Sequence, residues 1–293
     1  MMHSQPQWTR DQDEQLGTKE KFWVRDRNDV PWLFKKGRAG TGEDWAEIIC
    51  SRIADLLRLP HAEYKLGDYE GQRGVFTRSV LDASRGDRLV HGNELIARVA
   101  DHYPKELRGN TAEYTLQRVR QALINPELPI VGEAATYTFG GYLVFDCLVG
   151  NQDRHHENWA IIIRGDGSAI LAPSFDHAAG LACRLSDDER YARLSTRDSG
   201  YTVESFARSA RTPFHAADST RIQRLSTLEA VKLWNSWFPQ IGEWMNRAAL
   251  IDSALLLKAC DGISEEVMTT VTKKFVTLLV EVNRKRLLEV ACN

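Results

Sequence analysis

Hydrophobic and polar positions alternate in short runs over the first 82 residues and in longer, helix-spaced runs beyond them. Phe22-Trp23-Val24 and Pro31-Trp32-Leu33-Phe34-Lys35-Lys36 read as two strands joined by the polar turn at residues 25–29. In residues 45–57, Trp45, Ile49, Ile53, Leu56 and Leu57 form one apolar stripe, which predicts an amphipathic helix ending at Leu59-Pro60-His61. Residues 62–66 and 74–78 read as two more short strands around the turn at 67–71, and residues 75–81 run on into a hinge. Helical patterns then cover residues 93–101, 113–123 and 134–149. A hairpin is predicted from 159–164 and 169–172 around the turn Gly165-Asp166-Gly167-Ser168. Residues 185–224 are rich in Arg, Ser and Asp and read as a solvated connector, or as a mobile loop near a substrate. Residues 228–238, 241–257 and 265–290 read as helices, with Trp234, Trp237 and Trp244 as core positions. Residues 1–14 are polar and read as a frayed end. The expected class is α+β with two lobes, a small mostly β unit over 1–82 and a larger helical unit over 83–293.

Composition changes this picture little. The chain has 293 residues, 43% hydrophobic and 27% charged, ordinary for a globular protein with a sizeable core. Its net charge of -2 argues against a dominant nucleic-acid surface, so no direct nucleic-acid partner is expected. No apolar run is long enough to span a bilayer and the first ten residues hold no secretory apolar segment; cytoplasmic residence and no membrane partner are the default. Cys50, Cys147, Cys183, Cys260 and Cys292 are scattered without C-x-x-C spacing, and neither disulfides nor zinc are expected.

The stretch that carries chemistry is Gly150-Asn151-Gln152-Asp153-Arg154-His155-His156-Glu157-Asn158, set between two apolar runs. Asp153 and Asn158 have the D-x-x-x-x-N spacing of a phosphoryl-transfer site, in which the Asp orients the attacking hydroxyl and the Asn ligates a metal. Asp176 follows the hairpin, whose return brings it back beside Asn158. The spacing alone also fits an Asx-rich loop that caps a helix. Convergence of three ligands from separate positions favours a kinase-type reading, with ATP and Mg2+ as cofactors. His155 and His156 read as hydrogen-bonding scaffold rather than zinc ligands. Upstream, a strand lysine followed by a helix glutamate is the arrangement that holds the α and β phosphates. Lys35 with Glu47 is preferred, and Lys36 and Glu43 remain alternatives. The segment Leu16-Gly17-Thr18-Lys19-Glu20-Lys21, ahead of the first strand, is either a surface turn or a loop folding over phosphates.

These residues carry a family resemblance. Leu148-Val149-Gly150-Asn151-Gln152-Asp153-Arg154-His155-His156-Glu157-Asn158 followed by Leu171-Ala172-Pro173-Ser174-Phe175-Asp176 resembles the catalytic core of the HipA-like serine/threonine kinases, bacterial toxin kinases with a divergent two-lobed fold. The resemblance implies a catalytic base at Asp153 and metal ligands at Asn158 and Asp176. Glu47-x-x-Cys50-x-x-Ile53-Ala54 matches the family's helix start and favours Glu47. Gly17 and Lys21 resemble the family's G-x-x-x-K phosphate loop, and Thr18 takes the place where these kinases carry a regulatory, self-phosphorylated serine.

The resemblance implies a toxin-type serine/threonine protein kinase acting on a cellular protein substrate. About 15 residues precede the phosphate loop, which resembles the shorter branch of the family; there a separate small protein, or an antitoxin, supplies the missing N-terminal subdomain, or the kinase stands alone. Two other readings stay open. One is a small-molecule kinase on the same scaffold. The other is a catalytically silent module that binds an antitoxin, a DNA-bound partner or a client protein; the intact set Lys35, Asp153, Asn158 and Asp176 speaks against it.

Overall fold

The computed structural model describes residues 8–13, 20–107, 111–126, 132–216 and 223–291. Strands β1 (Thr9–Asp13), β2 (Lys21–Arg25) and β3 (Pro31–Lys36) lead into helix α1 (Glu43–Leu57), followed by β4 (Tyr64–Tyr69) and β5 (Gln72–Arg78). The five strands form one antiparallel sheet in the order β1-β2-β3-β5-β4. Strand periodicity divides its two faces. Phe22, Val24, Trp32, Phe34 and Phe76 form an aromatic cluster on one of them. Register places Lys21 opposite Lys35 and Lys35 opposite Val75, with Trp23, Leu33 and Thr77 as the next row, so these residues share the opposite face.

β1 lies in the segment whose polarity suggested a frayed end. Its backbone pairs with β2, Trp8 stacks on Phe76 with ring centroids 4.3 Å apart, and the Arg10 guanidinium sits 4.2 Å from the Phe22 ring centroid. An edge strand held by backbone pairing and by one tryptophan leaves no alternating pattern to read.

The second part opens with β6 (Arg88–His91) and α2 (Gly92–Ala97), then α3 (Leu116–Ile124) and α4 (Gly132–Val149). α4 is buried on nearly every side from Phe139 onward, as a helix at the centre of a lobe must be, and packs against α3 and later helices. The hairpin β7 (Ala160–Ile163) and β8 (Ala169–Leu171) pairs with β6 into a three-stranded antiparallel sheet.

Residues 185–224 differ from the expected connector. They hold α5 (Asp187–Ser195), α6 (Val203–Ser209) and the paired strands β9 (Arg211–His215) and β10 (Arg224–Ser226), while residues 217–222 lie outside the description. Few apolar residues suffice because several of them reach the core. Val203 and Ala207 pack on Phe275 and Leu279, and Phe214 is fully enclosed. Ser186 and Glu189 form a capping box that starts α5, a signal the composition masked.

α7 (Thr227–Trp237), α8 (Gly242–Ala249), α9 (Ser253–Ala259) and α10 (Thr270–Ala291) complete the chain. The single helix expected at 241–257 is two. The chain breaks at Leu250, which is exposed, and Asp252 caps α9 by accepting from the Leu255 amide at 2.9 Å. Trp234 and Trp244 are core, and Trp237 is partly buried against it. Cys50, Cys147, Cys183 and Cys260 are buried free thiols, and Cys292 lies outside the described residues. Among the described residues no helix is long and apolar enough to cross a membrane.

Candidate active site

A cleft of about 440 Å3 lies between the five-stranded sheet and the helical part. Leu33, Val80, Leu81, Leu89 and Phe175 are among its apolar lining, and Lys21, Lys35, Arg38 and Arg184 among its cations. Asp153, Asn158 and Asp176 reach it from the helical part.

Lys35 and Lys36 separate by strand parity. Lys35 is on the cleft face and buried, its Nζ 3.1 Å from Asp176 Oδ1 and 3.8 Å from Glu47 Oε1. Burial disfavours its charge, but the carboxylates of Asp176 and Glu47 outweigh burial and raise its pKa. Lys36 faces the other way, 3.5 Å from Glu20. Glu47 is fully buried, and its Oε2 accepts from the His177 backbone N–H at 2.8 Å. Glu43 pairs with Arg38 at 3.3 Å instead. One ammonium thus joins β3, α1 and the segment after β8. Lys21 stands opposite Lys35 in the register; such a like-charge pair is unfavourable by itself and is consistent with a face that receives an anion.

The loop after α4 is built around a second buried charge. Gly150 takes the left-handed conformation (φ 65°) that ends α4, and Asn283 Nδ2 caps the Leu148 carbonyl at 3.2 Å. Arg154 is buried and donates Nε to Asp146 Oδ2 and Nη2 to Asp146 Oδ1, both at 2.8 Å. Its Nη1 donates to the Asn158 carbonyl at 2.8 Å and to the Phe175 carbonyl at 3.4 Å. Burial works against this charge, but the Asp146 carboxylate outweighs it and raises the guanidinium pKa further. Asn151 Nδ2 donates to Asp146 Oδ1 at 2.8 Å, and its Oδ1 accepts from the Asp153 amide at 3.2 Å. Asn158 Nδ2 donates to the Asp153 carbonyl at 2.6 Å. The same guanidinium therefore sets Asn158 and the residue before Asp176 side by side, the juxtaposition expected of the hairpin. Asp176 itself adopts φ 58°, a conformation Asp tolerates better than most residues, and its amide donates to the Tyr64 hydroxyl at 2.9 Å.

His156 and His177 support the loop from beneath. His156 Nδ1 lies 2.7 Å from the Tyr103 hydroxyl. Burial, with His155 and His91 nearby, lowers its pKa to about 4. His177 Nε2 lies 2.7 Å from Ser174 Oγ, and burial holds its pKa well below the usual value.

Of the residues singled out in the sequence, Lys21, Lys35, Asp153, Asn158 and Asp176 line one cleft, and Glu47 stands behind Lys35. Gly17 and Thr18 lie outside the described residues. Asp146, Tyr64, His177 and Arg184 were not singled out. Asp146 left a signal, since it is one carboxylate inside the apolar run 142–149 and such a charge needs a buried partner. Tyr64 and His177 left none, because the contacts that tie them into the site, Asp176 to Tyr64 and His177 to Glu47, span more than a hundred residues.

Residues 15–234 match the model of the HipA-like C-terminal domain. A search among curated proteins gives no match. Among solved structures, the chain is similar to the Helicobacter pylori proinflammatory kinase CtkA, with a TM-score of 0.78 at 19% identity over 98% of this chain and 95% of that one. It is also similar to the Shewanella oneidensis MR-1 HipA of a toxin–antitoxin complex with HipB and operator DNA, with a TM-score of 0.59 at 10% identity over 100% of this chain and 70% of that one. At these identities the likeness establishes a kinase-like fold.

Proposed function

The chain belongs to the HipA-like C-terminal domain family, and on that premise we propose that it is an ATP- and Mg2+-dependent serine/threonine protein kinase. The observation that carries this reading is the buried Lys35 ammonium held between Glu47 and Asp176, in the same cleft as Asp153 and Asn158. A buried cation gripped by two carboxylates is costly to maintain for packing alone. It is well suited to receive phosphate oxygens.

The residues fit the two groups this chemistry requires. The cleft volume lies within the ~300–1,000 Å3 usual for small-molecule sites, with an apolar part for a base and cations for phosphates. Among the described residues no group of three His, Cys, Asp or Glu side chains could hold a metal alone. Mg2+ needs no such group, because it binds through one or two side-chain oxygens and takes the rest from phosphates and water. Asp176 supplies a carboxylate. Asn158 supplies Oδ1, because its Nδ2 is committed to the Asp153 carbonyl. Bound there, Mg2+ would neutralise charge on the triphosphate.

Lys35 then contacts the α and β phosphates, with Lys21 on the adjoining strand. Asp153 orients the acceptor hydroxyl and takes its proton as the oxygen–phosphorus bond forms. The bond from the terminal phosphorus to the β–γ bridging oxygen breaks, and ADP leaves. This is catalysis by positioning and charge, with no covalent enzyme intermediate. Gly17 and Thr18 are proposed as further nucleotide-binding residues on the family resemblance alone. The acceptor is proposed to be a protein hydroxyl, and an antitoxin-like protein is a candidate partner, a suggestion resting on the HipA–HipB–DNA complex of the Shewanella relative.

Purified chain incubated with Mg2+ and γ-labelled ATP tests the reading. Label is expected on the chain or on a protein of a cell extract, and is expected to vanish with Asp153→Asn. Label confined to a metabolite would establish a small-molecule kinase, and no transfer at all would leave a silent binding module.

A further inference from the structure

Arg184 is a cleft residue that the proposed chemistry has not used. The cleft's other lysines and arginines are engaged: Lys35 with Glu47 and Asp176, Arg38 with Glu43, Arg78 with Glu63, and Lys21 also in contact. Arg184 lines the same cleft and, among the described residues, has no ion-pair or hydrogen-bond partner. Exposed arginines are common, but the backbone leading into this one is held in place. The Cys183 carbonyl accepts from the Gly42 amide at 2.8 Å, which fixes the preceding residue to the start of α1, beside Glu43 and the Arg38 pair. Leu181 and Ala182 both adopt left-handed backbone, at φ 55° and 51°. Two successive non-glycine residues in that region are costly and persist only where the surroundings enforce them. Here they are enforced. Leu181 is fully buried with its amide on the Val149 carbonyl at 2.7 Å, and Arg190 Nη2 donates to the Ala182 carbonyl at 3.1 Å. A strained and braced turn thus presents a guanidinium with no partner among the described residues to the cleft lining, one residue from the contact with the start of α1.

We infer that Arg184 is a further catalytic residue whose guanidinium contacts the phosphoryl group in flight. The inference rests on the kinase reading above. In that step the terminal phosphorus leaves the β–γ bridging oxygen, bonds to the acceptor oxygen, and the acceptor proton passes to Asp153. Negative charge is spread over the three equatorial oxygens, and a planar fork of donors matches them better than a point charge. Lys35 and the metal serve the nucleotide before and during transfer. Arg184 gains its contact chiefly in the transition state, so it acts on the rate more than on nucleotide binding.

The test uses the full chain, ADP-Mg2+, and ADP-Mg2+ with aluminium fluoride, which mimics the planar phosphoryl. Melting temperature is read for wild type, Arg184→Ala and Arg184→Lys, alongside transfer from labelled ATP. Wild type is expected to melt higher with the mimic than with ADP-Mg2+ alone. Arg184→Ala is expected to keep the ADP-Mg2+ shift, lose the added increment and transfer phosphate about a hundredfold more slowly or worse. Arg184→Lys, which keeps the charge without the fork, is expected to regain part of both, and it decides the matter if the alanine variant fails to fold. Variants that keep the full increment, or that lose the ADP-Mg2+ shift along with it, overturn the inference. A wild type that transfers phosphate but takes no increment overturns it while the kinase reading stands. A wild type that neither binds ADP-Mg2+ nor transfers phosphate removes both.

Discussion

Arg154→Met is expected to be among the most damaging single changes outside the cleft itself. Methionine matches the length of the arginine stem and removes its charge. Asp146 is then left buried with the Asn151 amide as its remaining side-chain donor, after losing two hydrogen bonds of 2.8 Å. Breaking a buried pair in this way costs about 3–5 kcal/mol. Domains hold only about 5–15 kcal/mol in total. For a chain of this size the melting temperature is expected to fall by on the order of 10 °C. The double variant Asp146→Leu with Arg154→Met removes the stranded charge as well. It is expected to recover at least half of the lost stability, less the cost of the Asn158 and Phe175 carbonyls that still lack their donor. It is not expected to recover activity, because those carbonyls position Asn158 and Asp176. Urea unfolding of the two variants, with phosphoryl transfer measured beside it, is the assay. A loss below about 1 kcal/mol in Arg154→Met, or a double variant no more stable than the single one, would refute the reasoning.

Three further outcomes are expected. Lys35→Ala should lower transfer by orders of magnitude and Lys36→Ala should leave it unchanged; the reverse result in the labelled-ATP assay would mean that the sheet register is off by one residue. Asp153→Asn should keep an ATP-Mg2+ rise in melting temperature and lose transfer, whereas Asp176→Asn should lose both transfer and the Mg2+-dependent part of the rise; a swap of these phenotypes would reverse the two roles. His156, with its pKa lowered to about 4 by burial, binds a proton in the unfolded chain near pH 6.5 and resists it when folded. The stability this contributes is complete above pH 6.5 and is lost as the pH falls toward 4, an effect of roughly 1–3 kcal/mol. His156→Gln should flatten that part of a melting-temperature profile, and an unaltered slope would assign it to other groups.

The parts legible in the sequence are those whose cause is local. Strand alternation at Trp32, Leu33, Phe34 and Lys35 and the helix stripe from Trp45 to Leu57 each lie within one element, and the structure keeps both. The hairpin from 160 to 171 rests on a turn whose Asp166 accepts from the Ser168 amide at 2.9 Å, again a local device. β1 and the elements within 185–224 were hidden for the opposite reason. Their stability comes from distant partners, Trp8 on Phe76 in one case and α10 beneath Val203 and Ala207 in the other. The break at Leu250 was hidden because the residues flanking it continue a helical pattern. The candidate site divides in the same way. Spacing exposed Asp153, Asn158 and Asp176, whereas the Tyr64 and His177 contacts depend on how the two lobes meet.

That meeting of the lobes bears on how the cleft would be controlled. Two buried cations hold it, and they are wired differently. Arg154 binds Asp146, Asn158 and Phe175, all within the helical lobe, through charged and main-chain partners that leave no room for exchange. Lys35 reaches across, from β3 to α1 and to Asp176, with a contact of 3.8 Å to Glu47 and a closer one of 3.1 Å to Asp176. Asp176 is the partner that a metal would claim. A nucleotide that drew Asp176 onto Mg2+ would leave Lys35 to Glu47 and to phosphate, and α1 is already tied to the far side through the His177 amide. The helical lobe is thus braced by its own ion pair and holds α1 in a shared apolar core, while the tie from β3 to Asp176 is an ion pair whose carboxylate a bound Mg2+ would take. Motion on nucleotide binding should therefore concentrate in β2 and β3 rather than in the loop around Arg154 or in α1, whose Arg52 donates to the Ala259 and Asp261 carbonyls at 2.7 Å.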